Sequence, residues 1–354
     1  MKIDIYSPTI RRKEMDAVLT AMVEDQVGPG EHARFLIHAA KEILGFDYCL
    51  ALRSPVFALE MALQALCSRN QASQTGDPGG QSLKGRAVII SALSPLYYER
   101  VLRNMELVPL YCDTAEDQPL MAAEKLEALL AAKPLCVIFH HTLGYAPSEE
   151  LVAGLGVPVI EDCSQSAGTV LGEKRAGSFG IFTILGLEER DMITAAGGAL
   201  LYASNRRDAS ALRALGDFPP EYLLPDLNAA MAAVQFREEA KNLTQRGEIA
   251  RAYVQASLQT RHSRFRETGG LEYNNFAFSL VLENGLKDVK TYAKRKEIVL
   301  EEAFETTLAG SGLLPSAQCP CASSLALRTV LFPLYPRLGA ASAARVAKLI
   351  STLP

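Results

Sequence analysis

An acidic residue and a polar run follow an apolar segment near the middle of the chain. Residues 157–168 read VPVIEDCSQSAG, so Asp162 and Gln165 come directly after the apolar part. If this part is a strand, both side chains lie at its carboxyl end, where open α/β sheets bind their ligands. Taken alone, a strand-end aspartate also fits a turn or a helix cap. Asp162 and Gln165 are therefore candidate site residues whose role depends on the surrounding elements.

The elements predicted around this segment alternate between helix and strand over the first 200 residues. Continuous apolar strands separated by helices are typical of a parallel sheet that is buried on both faces. Strands are predicted over residues 87–91, 108–112, 135–139, 157–161, 182–187 and 199–203, and helices over 9–24, 32–44, 57–67, 96–105, 121–132 and 148–155. Residues 68–86 are rich in Ser, Gln and Gly and predict a long exposed loop.

The last third of the chain has a different pattern. Residues 227–258 predict one long helix, and the remainder predicts a strand over 276–282 and helices over 289–304 and 340–352. We therefore predict an α/β protein with a mostly parallel central sheet and flanking helices. Its large domain would cover residues 1–240, and a small α+β domain would cover residues 241–354.

Composition excludes several classes of protein. Among 354 residues, 49% are hydrophobic and the net charge is −4, which argues for a folded chain and against a nucleic-acid-binding protein. No apolar run approaches the length of a membrane span, and the first residues lack the apolar core of a signal peptide. The seven cysteines fit reduced, buried thiols. From these observations we expect a cytoplasmic protein. We expect no metal site, because Cys319-Pro320-Cys321 alone is a weak metal signal.

Several motifs, taken in their order along the chain, resemble one enzyme family. Residues 157–168 resemble the motif VIEDAAQA.G of the DegT/StrS-type sugar aminotransferases, which are fold-type I enzymes that use pyridoxal phosphate. Weaker matches lie at residues 7–8, 27–30, 141–144, 177–180, 197–199, 229–235 and 332–336. The resemblance implies that Asp162 pairs with the pyridinium nitrogen of the cofactor, that Gln165 lies beside its ring, and that His141 belongs to a strand-end step of the same site.

The lysine that the family uses to hold the cofactor is missing from the matching stretch. Its position falls on Arg190 or Asp191, depending on a one-residue gap, and no lysine occurs between Lys174 and Lys241. Arginine stays protonated in proteins and cannot replace lysine as the amine nucleophile. The resemblance therefore predicts no catalytic residue at this position.

Other cofactor contacts of the family also differ. The phosphate-binding loop SGT here reads Ser54-Pro55-Val56, which removes an N–H donor and a hydroxyl. The ring-stacking aromatic residue aligns with Leu93, the phosphate-binding serine with Gly186, and the asparagine that reaches the partner's phosphate with Glu221. These differences converge on one pocket while the motifs of the scaffold remain.

Our leading interpretation is a non-transaminating homologue that binds a ligand or completes a partner subunit in sugar or polysaccharide biosynthesis. It expects no cofactor and a vestigial pocket, in which Asp162 could form an ion pair with Arg190. The pocket residues would be Ser54, Leu93, His141, Asp162, Gln165, Gly186 and Arg190.

Two alternatives remain open. One is an active pyridoxal-phosphate sugar aminotransferase with atypical site residues. The other is a dehydratase-like relative that holds the aminated cofactor non-covalently, although the members of that kind have a histidine at the lysine position. The resemblance also implies a homodimer or a heteromer with an active paralogue, a nucleotide sugar as ligand, and neither nucleic acid nor membrane as partner.

Overall fold

A mostly parallel sheet of seven strands forms the centre of the computed structural model, which describes residues 2–73, 83–283 and 285–354. The strands are β1 Tyr48–Leu52, β2 Ala87–Ser91, β3 Val108–Cys112, β4 Cys136–His140, β5 Val159–Asp162, β6 Val170–Leu171, β7 Lys174–Arg175, β8 Phe182–Gly186, β9 Ala199–Ala203, β10 Leu271–Glu272, β11 Phe278–Val281, β12 Glu301–Glu302 and β13 Thr329–Phe332. The large sheet has the order β1-β9-β8-β5-β4-β2-β3. Only β9 runs antiparallel to its neighbours β1 and β8. The predicted α/β class with a mostly parallel sheet is confirmed.

Twelve α-helices are described, and most of them cover the faces of this sheet. They are α1 Arg12–Val23, α2 Glu31–Leu44, α3 Pro55–Ser73, α4 Leu96–Asn104, α5 Ala123–Leu130, α6 Glu149–Gly154, α7 Arg206–Arg213, α8 Asp226–Arg237, α9 Glu239–Ser257, α10 Leu286–Arg295, α11 Pro320–Arg328 and α12 Ala340–Ile350. None of the helices in the described ranges is long and apolar enough to cross a membrane.

Three predictions of individual elements are wrong. The helix predicted over residues 227–258 is two helices, α8 and α9, because the chain leaves helical geometry at Glu238. The helix predicted over residues 289–304 ends at Arg295, and the apolar residues that follow lead into β12 instead. Residues 68–73 of the predicted loop are helical, since α3 continues to Ser73, and residues 74–82 lie outside the described part.

Apolar side chains from both faces of the sheet form the core. One cluster joins the sheet to α3 and α4, and a second joins its opposite face to α2 and α8. A third cluster surrounds the separate sheet β11-β13-β12, against which α9, α10 and α12 pack. The division of the chain after residue 240 stays a prediction.

Candidate functional site

The carboxyl ends of three neighbouring parallel strands bring the candidate residues together. In the sheet, β4 pairs with β5 and β5 pairs with β8, so that His140 lies opposite Asp162 and Asp162 lies opposite Ile184. The backbone continues this pairing past the strands, because the N–H of His141 donates to the carbonyl of Asp162. The polar residues after each strand therefore meet at one edge of the sheet.

The carboxylate of Asp162 is buried and is fully engaged by groups of the same chain. Its Oδ2 accepts hydrogen bonds from the hydroxyls of Tyr98 at 2.5 Å and Tyr97 at 3.1 Å. Its Oδ1 accepts the backbone N–H of Ser164 at 3.0 Å and also the Ser164 hydroxyl. Burial alone would raise the pKa of Asp162, but the charge of His140, whose Nδ1 lies 3.5 Å from Oδ2, and the hydrogen bonds from Ser164 and Tyr98 hold it well below its usual value. Asp162 therefore stays ionised.

The two tyrosines that cover Asp162 come from the first turn of α4. This helix begins directly after β2, at the same edge of the sheet. Burial and the charge of Asp162 raise the pKa of both phenols well above the usual value, so that they remain neutral donors. Sequence reasoning missed Tyr97 and Tyr98. The available signal was the pair of adjacent tyrosines at the start of a helix that follows a buried strand.

Asp191 lies in the same group, against the end of β8. Its Oδ2 accepts the backbone N–H of Glu188 at 2.9 Å, which folds the side chain back toward the sheet. A Cβ at Gly186 would lie 2.2 Å from this oxygen and 2.7 Å from Oγ of Ser164, so a larger residue there would have to displace both side chains. Burial, followed by the charges of Asp162 and Glu188, raises the pKa of Asp191 to about 8. Of the two positions left open for the family's lysine, Asp191 thus faces the strand ends near Asp162.

Arg190 points away from this group, and the predicted ion pair with Asp162 is wrong. Its Nη1 donates to both carboxylate oxygens of Glu301, at 2.7 Å and 2.9 Å. The guanidinium also lies over the ring of Tyr6, 5.7 Å from the centroid. The Arg190 side chain is 56% exposed whereas that of Asp162 is 1% exposed. The guanidinium of Arg190 is solvated and paired with Glu301, and the Asp162 carboxylate already accepts hydrogen bonds from other residues. Each charge is therefore compensated without an Arg190–Asp162 ion pair.

A cavity of about 160 Å³ is lined by Gln165, which follows β5, and by Arg190. Its polar lining comes from Tyr6, Gln165, Arg190, Arg246 and Glu301. Nη1 of the buried Arg246 donates to three backbone carbonyls at 2.9 to 3.2 Å, and burial lowers the pKa of Arg246 to about 10. The cavity offers guanidinium, amide, phenol and carboxylate groups, which suit hydrogen bonding to a small polar ligand.

Only two of the predicted pocket residues line this cavity, namely Gln165 and Arg190. Oε1 of Gln165 accepts the backbone N–H of Leu143 at 2.6 Å. Ser54 precedes α3, and its Oγ accepts the backbone N–H of Phe57 at 3.3 Å. Leu93 is fully buried in the apolar core. Ser54, His141 and Asp162 do not line this cavity, and their assignment to a vestigial cofactor pocket stays a prediction.

His141 belongs to a second buried group, on the other side of the same strand ends. Its Nε2 lies 3.3 Å from Oε2 of Glu161, and its Nδ1 lies 2.8 Å from Oγ of Ser166 and 3.5 Å from Sγ of Cys163. His141, Glu161 and Cys163 are close enough to hold a metal ion. However, Glu161 already accepts the backbone N–H groups of residues 177, 179 and 180. Burial and the charge of Glu161 raise the pKa of the Cys163 thiol well above its usual value. This arrangement suits a structural hydrogen-bond group.

Comparison with known proteins shows which protein family this chain resembles along its length. Residues 8–351 match the DegT/DnrJ/EryC1/StrS aminotransferase family. The chain is 25% identical over 310 residues to EpsN of Bacillus subtilis (strain 168), whose name describes a pyridoxal phosphate-dependent aminotransferase. The match covers 80% of this chain and 76% of EpsN.

Solved structures show the same fold. A DegT DnrJ EryC1 StrS aminotransferase from Brucella abortus has a TM-score of 0.82 at 20% identity, covering 96% of this chain and 94% of its own. The PLP-form of Spr1654 from Streptococcus pneumoniae, which is described as a sugar aminotransferase, has a TM-score of 0.87 at 15% identity. The match covers 99% of this chain and 98% of Spr1654. The fold is that of the fold-type I aminotransferases. The chain belongs to the DegT/DnrJ/EryC1/StrS aminotransferase family.

Proposed function

We propose that this chain is a non-transaminating member of its family, in which side chains of the protein fill the place that relatives give to the cofactor. The main support for this proposal is that the hydroxyls of Tyr97 and Tyr98 donate hydrogen bonds to Oδ2 of Asp162. In the family this aspartate pairs with a pyridinium nitrogen. Here the same carboxylate has two phenol donors and two donors from Ser164.

The residues present do not fit pyridoxal phosphate. The Asp191 carboxylate lies against Gly186, at the strand end to which the resemblance assigns a phosphate contact. Its side chain occupies this space, and above about pH 8, where Asp191 is ionised, a phosphate about 4 Å away would also be repelled by roughly 4 kcal/mol at an effective dielectric constant of 20. Pro55 removes an N–H donor from the start of α3, and no lysine lies between Lys174 and Lys241. Both the ring and the phosphate would therefore lack support.

An absorbance spectrum of the purified protein tests this proposal. We expect no band of bound pyridoxal or pyridoxamine phosphate, either as purified or after addition of pyridoxal phosphate and removal of the excess. We also expect no transamination from glutamate to a keto-sugar nucleotide. Loss of a positioned acid or base alone removes roughly 10²- to 10⁴-fold in rate. A stable cofactor band together with turnover would establish the alternative, an active aminotransferase with atypical residues.

We further propose that a second copy of the chain covers an apolar surface on α1 and α2. Met15, Leu19 and Met22 on α1 and Phe35 on α2 are each more than half exposed. They share one region of the molecule, because both helices pack against α8. Scattered exposed apolar residues are ordinary, but a group of large ones on neighbouring helices indicates an interface. An active paralogue with the same surface could take the place of the second copy.

Light scattering coupled to gel filtration tests this surface. We expect the mass of a dimer for the purified chain and the mass of a monomer for Leu19→Asp. Leu258→Asp is the matched control, since Leu258 is 70% exposed and lies at the end of α9. A wild-type monomer at micromolar concentration would refute the homodimer, and a dimer that persists in Leu19→Asp would place the interface elsewhere.

The proposed ligand of the cavity beside Gln165 is the sugar part of a nucleotide sugar. Hydroxyl groups of a sugar match the amide of Gln165, the Tyr6 phenol and the Arg190–Glu301 pair. Isothermal titration with nucleotide sugars should show binding that Gln165→Leu weakens. Leu258→Asp should bind as the wild type does, since that residue lies outside the cavity. Equal affinities for wild type and Gln165→Leu would refute this assignment.

A further inference from the structure

A second and larger cavity lies on the other side of the segment that carries Glu301. Its volume is about 710 Å³, within the range of roughly 300 to 1,000 Å³ that is usual for small-molecule sites. It lies between α10 and residues 297–302, beside the start of the chain, and it shares no residue with the cavity of Gln165. Any ligand here would be independent of the proposed sugar site.

Lysines dominate the charged lining of this cavity. Lys287, Lys290 and Lys294 follow one another on α10 at spacings of three and four residues, so they share a face of the helix, and Lys2 joins them. Like charges at such spacings destabilise a helix. The chain as a whole has a net charge of −4, so this cluster of positive charge is opposite in sign to the net charge.

Part of this charge has no counter-ion within the protein. The two glutamates of the lining are already engaged, since Lys290 donates to Glu302 at 2.8 Å and Arg345 lies 3.9 Å from Glu297. Lys2 pairs with Asp4. Within the described ranges, Lys287 and Lys294 have no ion pair with an acidic side chain. Two ammonium groups on flexible side chains are thus available to an anion.

The floor of the cavity is apolar. It is formed by Leu286 at the start of α10 and by Ile298, Val299 and Leu300 before β12. A ligand that matches both the lysines and the apolar floor carries two negative groups and an apolar or aromatic group, and the latter would lie on this floor. We propose that this cavity binds an organic diphosphate, with its phosphates on Lys287 and Lys294 and its organic group against residues 298–300.

Isothermal titration of the full chain with three probes tests the proposal: uridine diphosphate, farnesyl diphosphate and inorganic pyrophosphate. At least one organic diphosphate should bind more tightly than pyrophosphate, because only the organic probes reach the apolar floor. Tighter binding of uridine diphosphate would identify a nucleotide as the source of the diphosphate. Tighter binding of farnesyl diphosphate would identify a lipid precursor.

Matched variants locate the site. The double variant Lys287→Gln/Lys294→Gln should raise the Kd by about a hundredfold, since hydrogen bonds to charged groups contribute roughly a factor of ten each. Lys125→Gln/Lys348→Gln removes the same charge from exposed helix positions outside the cavity and should leave the Kd unchanged. The proposal is overturned if no probe binds, if pyrophosphate binds as tightly as the organic probes, or if the lysine pair has no effect.

Discussion

The carboxyl group of Asp191 should make the protein less stable as the pH rises. Its pKa moves from 3.8 to about 8 on folding, with burial as the largest cause. Between these two values the folded chain holds a proton that the unfolded chain has released, so the free energy of unfolding falls with rising pH. Above about pH 8 the loss is complete, and below about pH 4 it is absent.

The magnitude follows from the size of this shift. Each pKa unit corresponds to about 1.4 kcal/mol, so a shift from 3.8 to about 8 sets an upper limit of about 6 kcal/mol. Part of Asp191 reaches solvent and its Oδ2 keeps one backbone donor, so we expect roughly 2 to 3 kcal/mol. The substitution Asp191→Asn removes the charge and keeps an oxygen for the N–H of Glu188. It should stabilise the protein by this amount at pH 9 and by progressively less toward pH 5.

Urea denaturation at a series of pH values between 5 and 9 measures this effect. Asp217→Asn is the control, because Asp217 is exposed and distant in sequence from the strand ends. The difference in free energy of unfolding between Asp217→Asn and the wild type should not change with pH. If Asp191→Asn shows the same pH dependence as the wild type, or is less stable at pH 9, then Asp191 is not a buried carboxyl group that resists ionisation.

Three further predictions concern the same group of residues. Tyr98→Phe removes a 2.5 Å hydrogen bond to the buried Asp162 carboxylate and should cost about 1.5 to 3 kcal/mol in urea denaturation, whereas Tyr97→Phe, with its 3.1 Å contact, should cost less. Arg190→Ala should change the free energy of unfolding by less than about 1 kcal/mol despite the two-point contact with Glu301, because this guanidinium is largely solvated, and a larger loss would contradict this reasoning. Neither Arg190→Lys nor Asp191→Lys should create an absorbance band with added pyridoxal phosphate, because Tyr97, Tyr98 and Pro55 remain; such a band in either variant would show that the lysine alone decides cofactor binding.

The sheet was predictable from sequence because its strands are continuous apolar runs bounded by helices. Residues 87–91, 108–112 and 199–203 are strands with the predicted bounds. Strand β1 was not predicted, although it pairs along its whole length with β9. Residues 48–52 are as apolar as the other strands, but only three residues separate them from the end of α2 and only two from the start of α3.

The residues of the site were easier to predict than their contacts. Sequence spacing placed Asp162 and Gln165 at a strand end, and the sheet register bears this out for Asp162, which lies opposite His140. The sequence could not show that the side chain of Asp191 points inward and that of Arg190 points outward, because the two residues are adjacent. That choice depends on the hydrogen bond from Glu188 to Asp191 and on the distant Glu301, which sequence reasoning did not connect with Arg190.

A buried carboxylate constrains what can occupy the space around it. An ionised group that lacks partners in the interior costs several kcal/mol, so Asp162 needs donors whether or not a ligand is bound. Tyr97, Tyr98 and Ser164 supply them from within the chain. A ligand that required Oδ2 of Asp162 would have to displace two phenols and leave their hydroxyls in need of new acceptors. Asp162 can therefore persist in this chain as a structural anion, and its presence alone is not evidence that the protein binds the cofactor of its relatives.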